Sequence, residues 1–273
     1  MTAPFSCPDW LDAHALDDAR MGEAYESLSA SSRAVLKTCI ARLHQIWGES
    51  PEQAVSLRCP RQGFCLERAE RPADVAVIVC AADYRHPTAF LAALMPAVLA
   101  GARAVLPFFV PSATLASSLG PISASLSEPG RNGMPAAPLL AALELAGVER
   151  AFVLEEDDVL RFLREVRPEA SRLLLLGEKP FAGPLLLHAH EAGLAVRSFF
   201  LTPRYWNERL RRVAILSFPA ENTFPRRDGQ QAECQNGVED MPVRLGEGHE
   251  EFWIWPDLGP DWFRLPRARL FSA

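Results

Sequence analysis

Lysine is almost missing from this 273-residue chain: of 28 basic side chains only Lys37 and Lys179 are lysines, a skew that reflects base composition rather than recognition chemistry. A basic excess is missing too. With 34 acids the net charge is -6, so no positive field gathers nucleic acid or anionic lipid, and no nucleic-acid partner is expected. No apolar run approaches the roughly 18 residues of a membrane span. The opening MTAPFSCPDWLDAH carries acids where a signal peptide carries bases, which predicts a cytoplasmic protein without a membrane partner. The six cysteines (Cys7, Cys39, Cys59, Cys65, Cys80 and Cys234) lack paired close spacings and are expected to be reduced thiols. Cys59 and Cys65, in CPRQGFC, have no second pair that would make a zinc site. What remains, 49% hydrophobic and 23% charged residues, is the composition of an ordinary globular protein and excludes disordered and collagen classes.

The first 70 residues read as a helical, then irregular, lead-in. Leu36, Ile40, Leu43 and Trp47 recur at helical spacing, with Ser29 or Ser31 available as N-cap and Gly48 and Pro51 as terminators. From Asp74 the period changes. DVAVIVCA (Asp74 to Ala81) is a nearly continuous β-branched run, the pattern of a strand buried on both faces. A helix from Thr88 to Ala102 follows, with a kink expected at Pro96. Arg103–Phe109 is the next strand. After a loop of small residues (Ser112 to Pro135), strands at Arg150–Glu155, Arg172–Gly177 and Leu194–Phe200 alternate with helices at Pro138–Val148, Asp157–Val166 and Pro180–Gly193; Arg212–Phe218 reads as one more strand. The alternation predicts an α/β fold, a Rossmann-like three-layer sandwich with a mostly parallel sheet, over residues 71–218. Residues 219–273 form a C-terminal extension in which Phe252, Trp253, Trp255, Trp262 and Phe263 concentrate. Such a segment pins itself over the body or meets a partner subunit.

The order of residues also resembles the cofactor domain of the histidinol dehydrogenase family, within the aldehyde-dehydrogenase-like fold. The resemblance covers roughly residues 28–200. It is carried by Arg71-Pro72, Pro87, Pro96, Ala100-Gly101, Pro138, Leu140, Ala141-Ala142 and Ala146-Gly147-Val148, in that order. It implies an NAD(P) site at the first βα turn and a homodimer.

The departures bear on function. Where the family ends its first strand in two glycines, this chain has Ala81 and Ala82; the tyrosine before the helix proline is His86. The family's Gly-Gly-x-Gln turn is replaced by Glu155-Glu156-Asp157-Asp158. Four carboxylates at the mouth of a dinucleotide crevice would repel a pyrophosphate by on the order of 1 kcal/mol per close pair. A Gly-Pro-Gly-Asn turn is reduced to Gly177-Glu178-Lys179-Pro180. No Glu-His dipeptide occurs, nor any Gln followed three residues later by His, so the family's acid/base pair and zinc ligands have no counterparts. Only about 55 residues follow the expected sheet, which leaves the family's second domain absent or reduced to the tail.

The best-placed polar cluster is Asp83, Tyr84, Arg85 and His86, followed by Thr88, at the carboxyl end of the first parallel strand. There Arg85 suits a carboxylate or phosphate and His86 suits acid/base work; the bland alternative is that they satisfy a turn and a helix start. Glu155 and Glu156 join them as candidate ligand-binding residues. Cys234, in Asp-Gly-Gln-Gln-Ala-Glu-Cys, invites comparison with the aldehyde dehydrogenase nucleophile turn but is two residues out of step. The string His188-Ala-His190-Glu191 falls in a helical segment, where i and i+2 diverge, so no metal site is assigned. Arg161, Arg164 and Arg167 read as a solvated helix face. Two expectations stand side by side. One is a histidinol-dehydrogenase-like domain without dehydrogenase activity that binds a small molecule or partner. The other is an NAD(P)-dependent oxidoreductase with a rebuilt cofactor site, using His86 or Cys234.

Overall fold

The computed structural model describes residues 5–48, 54–58, 64–82, 84–111, 134–177, 184–200, 252–255 and 257–272. The expected Arg212–Phe218 strand and most of the Ser112–Pro135 loop lie outside them. A five-stranded, all-parallel sheet forms the centre, from β3 (Val75–Ala81), β4 (Ala104–Val110), β5 (Phe152–Val153), β6 (Ser171–Gly177) and β7 (Ala195–Phe200), in the order β5-β4-β3-β6-β7. All seven residues of β3 are buried. Its side chains alternate between two cores, Val75, Val77, Val79 and Ala81 on one face and Ala76, Ile78 and Cys80 on the other. A central strand covered on both sides needs apolar residues at every position, which is why the run is continuous rather than alternating.

Helices α1 (Asp18–Ser27), α2 (Ala30–Trp47), α3 (Pro87–Leu99) and α4 (Ala137–Ala146) supply one face. Helices α5 (Glu156–Glu165) and α6 (Pro184–Glu191), with Leu11 from a 3-10 turn at Asp9–His14, supply the other. The architecture is thus an α/β, Rossmann-like three-layer sandwich. Asp17 and Ser29 cap α1 and α2 by accepting from the backbone N–H of Ala19 (3.0 Å) and Ser32 (3.1 Å). Helix α3 runs through Pro96 without a break. It stops at Gly101, whose φ of +74° is open to glycine at little cost.

The stretch read as irregular is a second sheet. β1 (Ala54–Arg58), β2 (Phe64–Pro72) and β8 (Arg264–Ser272) form an antiparallel layer in the order β1-β2-β8. Cys65 in β2 is disulfide-bonded rather than a reduced thiol, whereas Cys7, Cys39 and Cys80 form no disulfide. The segment leading into β8 runs along α3. Trp255 is buried there, its indole Nε1 donating to the Ala89 carbonyl at 2.9 Å, and Phe252, Trp253 and Phe263 join the same core. At the far end of α3, Arg264 donates to the Ala100 carbonyl (3.4 Å) and, across the antiparallel sheet, to that of Glu70 (3.2 Å). Arg172 of β6 is bound nearby by the carbonyls of Trp262 (2.8 Å) and Arg264 (3.2 Å). Asp74, just before β3, accepts from Arg71 at 2.7 Å. These polar links lie at the amino ends of the parallel strands and join the two sheets.

Candidate functional site

A parallel sheet has a place for ligands where the strand order reverses, outside the carboxyl ends of the strands. Here β3 leads to β4 and β5 on one side, and the chain then returns to β6 on the other. The reversal therefore falls between β3 and β6. The residues immediately after β3 are the predicted cluster, of which Tyr84, Arg85, His86 and Thr88 are described, while Asp83 lies outside the described residues.

The turn after β3 is closed on itself. The Ala82 N–H donates to the Val110 carbonyl (2.9 Å) and the Tyr84 N–H to the Ala81 carbonyl (3.0 Å), so both donors are engaged within the protein. Ala81 and Ala82 are buried. Tyr84 is fully buried, its ring edge-on to that of His86 at 5.4 Å between centroids. Tyr84 thus acts as packing under His86 and presents no surface to a ligand. Arg85 is exposed, and His86 and Thr88 are partly exposed. His86 sits at the N-cap of α3, where its side chain makes no capping hydrogen bond, and Pro87 at the first helical position has no N–H to offer. Among the described residues, the accessible chemistry of this turn consequently rests on Arg85, His86 and Thr88.

Glu155 and Glu156 are placed elsewhere. They follow β5, the sheet edge, two strand spacings or roughly 10 Å from β3. Glu155 is the N-cap of α5, and Glu156, Asp157 and Asp158 fill its first turn. There their charge complements the positive end of the helix dipole. The four acids flank the sheet edge rather than the reversal between β3 and β6, because the chain order β3, β4, β5 carries them outward from the centre.

Among the described residues Glu156 is the one carboxylate whose pKa is raised, by burial first and by the adjacent Asp157 second. Its Oε1 is buried without a hydrogen-bond partner. A folded-state pKa above the unfolded one means that the folded protein holds the proton more tightly. Glu156 therefore favours folding below the ordinary carboxylate pKa of about 4, and that contribution is lost as pH rises through the raised value. Glu156→Gln is expected to raise the urea midpoint at pH 7 and to change it little at pH 3. A variant no more stable than the parent at pH 7 would contradict the assignment.

Cys234 lies outside the described residues. His188 and His190 fall in α6, with His190 exposed and the Nε2 of His188 buried without a hydrogen-bond partner. Among the described residues no group of three or more His, Cys, Asp and Glu side chains gathers as metal ligands do. Arg161 is more than a solvated face: its guanidinium stacks on the Trp10 ring at 4.3 Å and pairs with Glu165 at 3.6 Å. The Cys7 thiol is pushed up by burial, against a lowering influence from Arg150. It is therefore not an activated thiolate. Among the described residues no helix is long and apolar enough to cross a membrane.

Sheet order and layering define a Rossmann-type α/β domain. No family model matches the chain, and no curated protein matches it. Among solved structures it is similar to a histidinol dehydrogenase from Elizabethkingia anophelis, at 10% identity and a TM-score of 0.43, over 95% of this chain and 77% of that one. It is also similar to an indole-3-acetaldehyde dehydrogenase in its apo form, at 12% identity and a TM-score of 0.36, over 67% of this chain and 46% of that one. These are distant relationships of fold.

Proposed function

We propose that this chain is a Rossmann-like binding domain without dehydrogenase activity, which takes a small carboxylate- or phosphate-bearing molecule at the carboxyl edge of its sheet. The observation that carries the reading is the turn after β3. It stands beside the strand reversal and presents Arg85 and His86 outward. The N–H of Ala82, one of the two positions where the family has glycine, and that of Tyr84 are occupied by the protein's own carbonyls. Arg85 offers a planar guanidinium fork for an oxyanion, and His86 offers imidazole nitrogens that can donate or accept a hydrogen bond. A pyrophosphate needs backbone N–H groups that it can approach closely, which glycines permit and a turn built on Ala81, Ala82 and buried Tyr84 does not.

The test is thermal shift and calorimetry with NAD, NADP and a panel of monocarboxylates and phosphomonoesters. Each dinucleotide at 1 mM is expected to leave the melting temperature unchanged, since a ligand well below its Kd stabilises negligibly. Saturable micromolar binding of NAD or NADP would overturn this reading in favour of an NAD(P)-dependent oxidoreductase. A panel member that stabilises the protein is expected to lose its effect in Arg85→Ala, and a shift that survives that substitution would place the ligand elsewhere.

A further inference from the structure

Among the described residues the antiparallel sheet ends in β1 on one side and β8 on the other, and the two edges are built differently. An exposed strand edge is a row of backbone donors and acceptors ready to pair with another chain, and proteins that stay monomeric blunt it with proline, charge or a bulge. The β8 edge is blunted: Pro266 brings no N–H, and Arg267 and Arg269 are exposed. The β1 edge has no such protection at its centre, Val55-Ser56-Leu57. Val55 and Leu57 are 57% and 58% exposed, among the most exposed large apolar side chains of the described residues. They share one face of the sheet, opposite Ala69 and Glu67 of β2. Phe271, also exposed, lies on that face beside Cys65.

β1 is also its own complement. If two copies pair antiparallel about a two-fold axis through Ser56, the middle of the five-residue strand, Val55 of each copy stands opposite Leu57 of the other. Ser56 then stands opposite Ser56. The central pairing sets apolar against apolar and opposes no like charges, whereas an equivalent pairing of β8 about Ala268 would set Arg267 against Arg269. We propose that the protein forms a homodimer by antiparallel pairing of β1 with β1 of a second copy, joining the two three-stranded layers into one six-stranded sheet. The contact is isologous, as a two-fold requires, and it leaves the carboxyl edge of the parallel sheet uninvolved.

Sedimentation velocity and non-reducing gel electrophoresis of the full chain test this. The parent is expected to sediment as a dimer at tens of micromolar, and Leu57→Lys as a folded monomer whose melting temperature, unlike the parent's, does not change with protein concentration, since Leu57 contributes little to the core. Opposed Cα atoms in such a pair stand about 4.5–5.5 Å apart, within disulfide range. Ser56→Cys is therefore expected to give a covalent dimer on mild oxidation, and Ala268→Cys on β8 to give none. A monomeric parent at 100 μM, a dimer that persists in Leu57→Lys, or a Ser56→Cys protein that cross-links no more than the parent would each overturn the proposal. If Leu57→Lys does not fold, the pair of cysteine variants decides the question.

Discussion

Trp255→Ala is expected to cost about 3–5 kcal/mol of stability, the range for deleting a large aromatic side chain from a packed core. The indole is 1% exposed and lies between the C-terminal segment and α3. The substitution removes two things together. One is the apolar volume, with the edge-on contact to Trp253 at 5.4 Å between ring centroids. The other is the donor to the Ala89 carbonyl at 2.9 Å. Trp255→Phe separates them, since it keeps most of the volume and loses the donor, and should cost about 1–2 kcal/mol. Urea unfolding measures both. An alanine variant within 1 kcal/mol of the parent would mean that the C-terminal segment is not docked on α3.

Arg264→Ala is expected to cost about 3 kcal/mol. The side chain is 4% exposed, and its guanidinium serves the carbonyls of Ala100 and Glu70 while facing the Glu70 carboxylate at 3.7 Å. Ala100 is the C-cap of α3, so the cation also stands at the negative end of the helix dipole. Removing it leaves buried carbonyls without their donor and opens a cavity, and these are the expensive parts of the change. The carboxylate partner matters far less. The Glu70 side chain is 47% exposed and recovers its hydration, so Glu70→Gln should cost under about 1 kcal/mol. Equal costs for the two variants, measured by the same urea titrations, would contradict this division.

The parallel sheet was legible because burial on both faces forces a signature that no surface segment needs: β3 and β6 are continuous apolar runs. The antiparallel sheet was not. β2 reads FCLERAERP, half-buried over much of its length, and β8 reads RLPRARLFS, exposed from Pro266 to Phe271; in both, charge replaces the alternation that marks a half-buried strand. Helix α1 went unnoticed for a similar reason, since it buries little beyond Met21 and Ala24. At the candidate site, local pattern sufficed to put Arg85 and His86 at a strand end. It did not show that Tyr84 points into the core, because a tyrosine in a polar turn has no neighbour in sequence that reports its burial. Nor did it show that Glu155 and Glu156 stand at the sheet edge, because strand order is a property of crossovers and is not written in any one segment.

The pairing of β2 with β8 also sets an order of events during synthesis. Glu70 and Arg264, joined in the finished protein, are 194 residues apart in the chain. At roughly 5–20 residues per second, β2 waits on the order of 10–40 s on the ribosome before its partner strand is made. The parallel sheet can collapse in that interval, whereas the pairing of β2 with β8 closes last, once β8 has been made. Contacts of such high sequence separation are the slow ones to form. Until they form, the nascent chain shows, on the side of β2 away from β1, the unpaired backbone that chaperones bind.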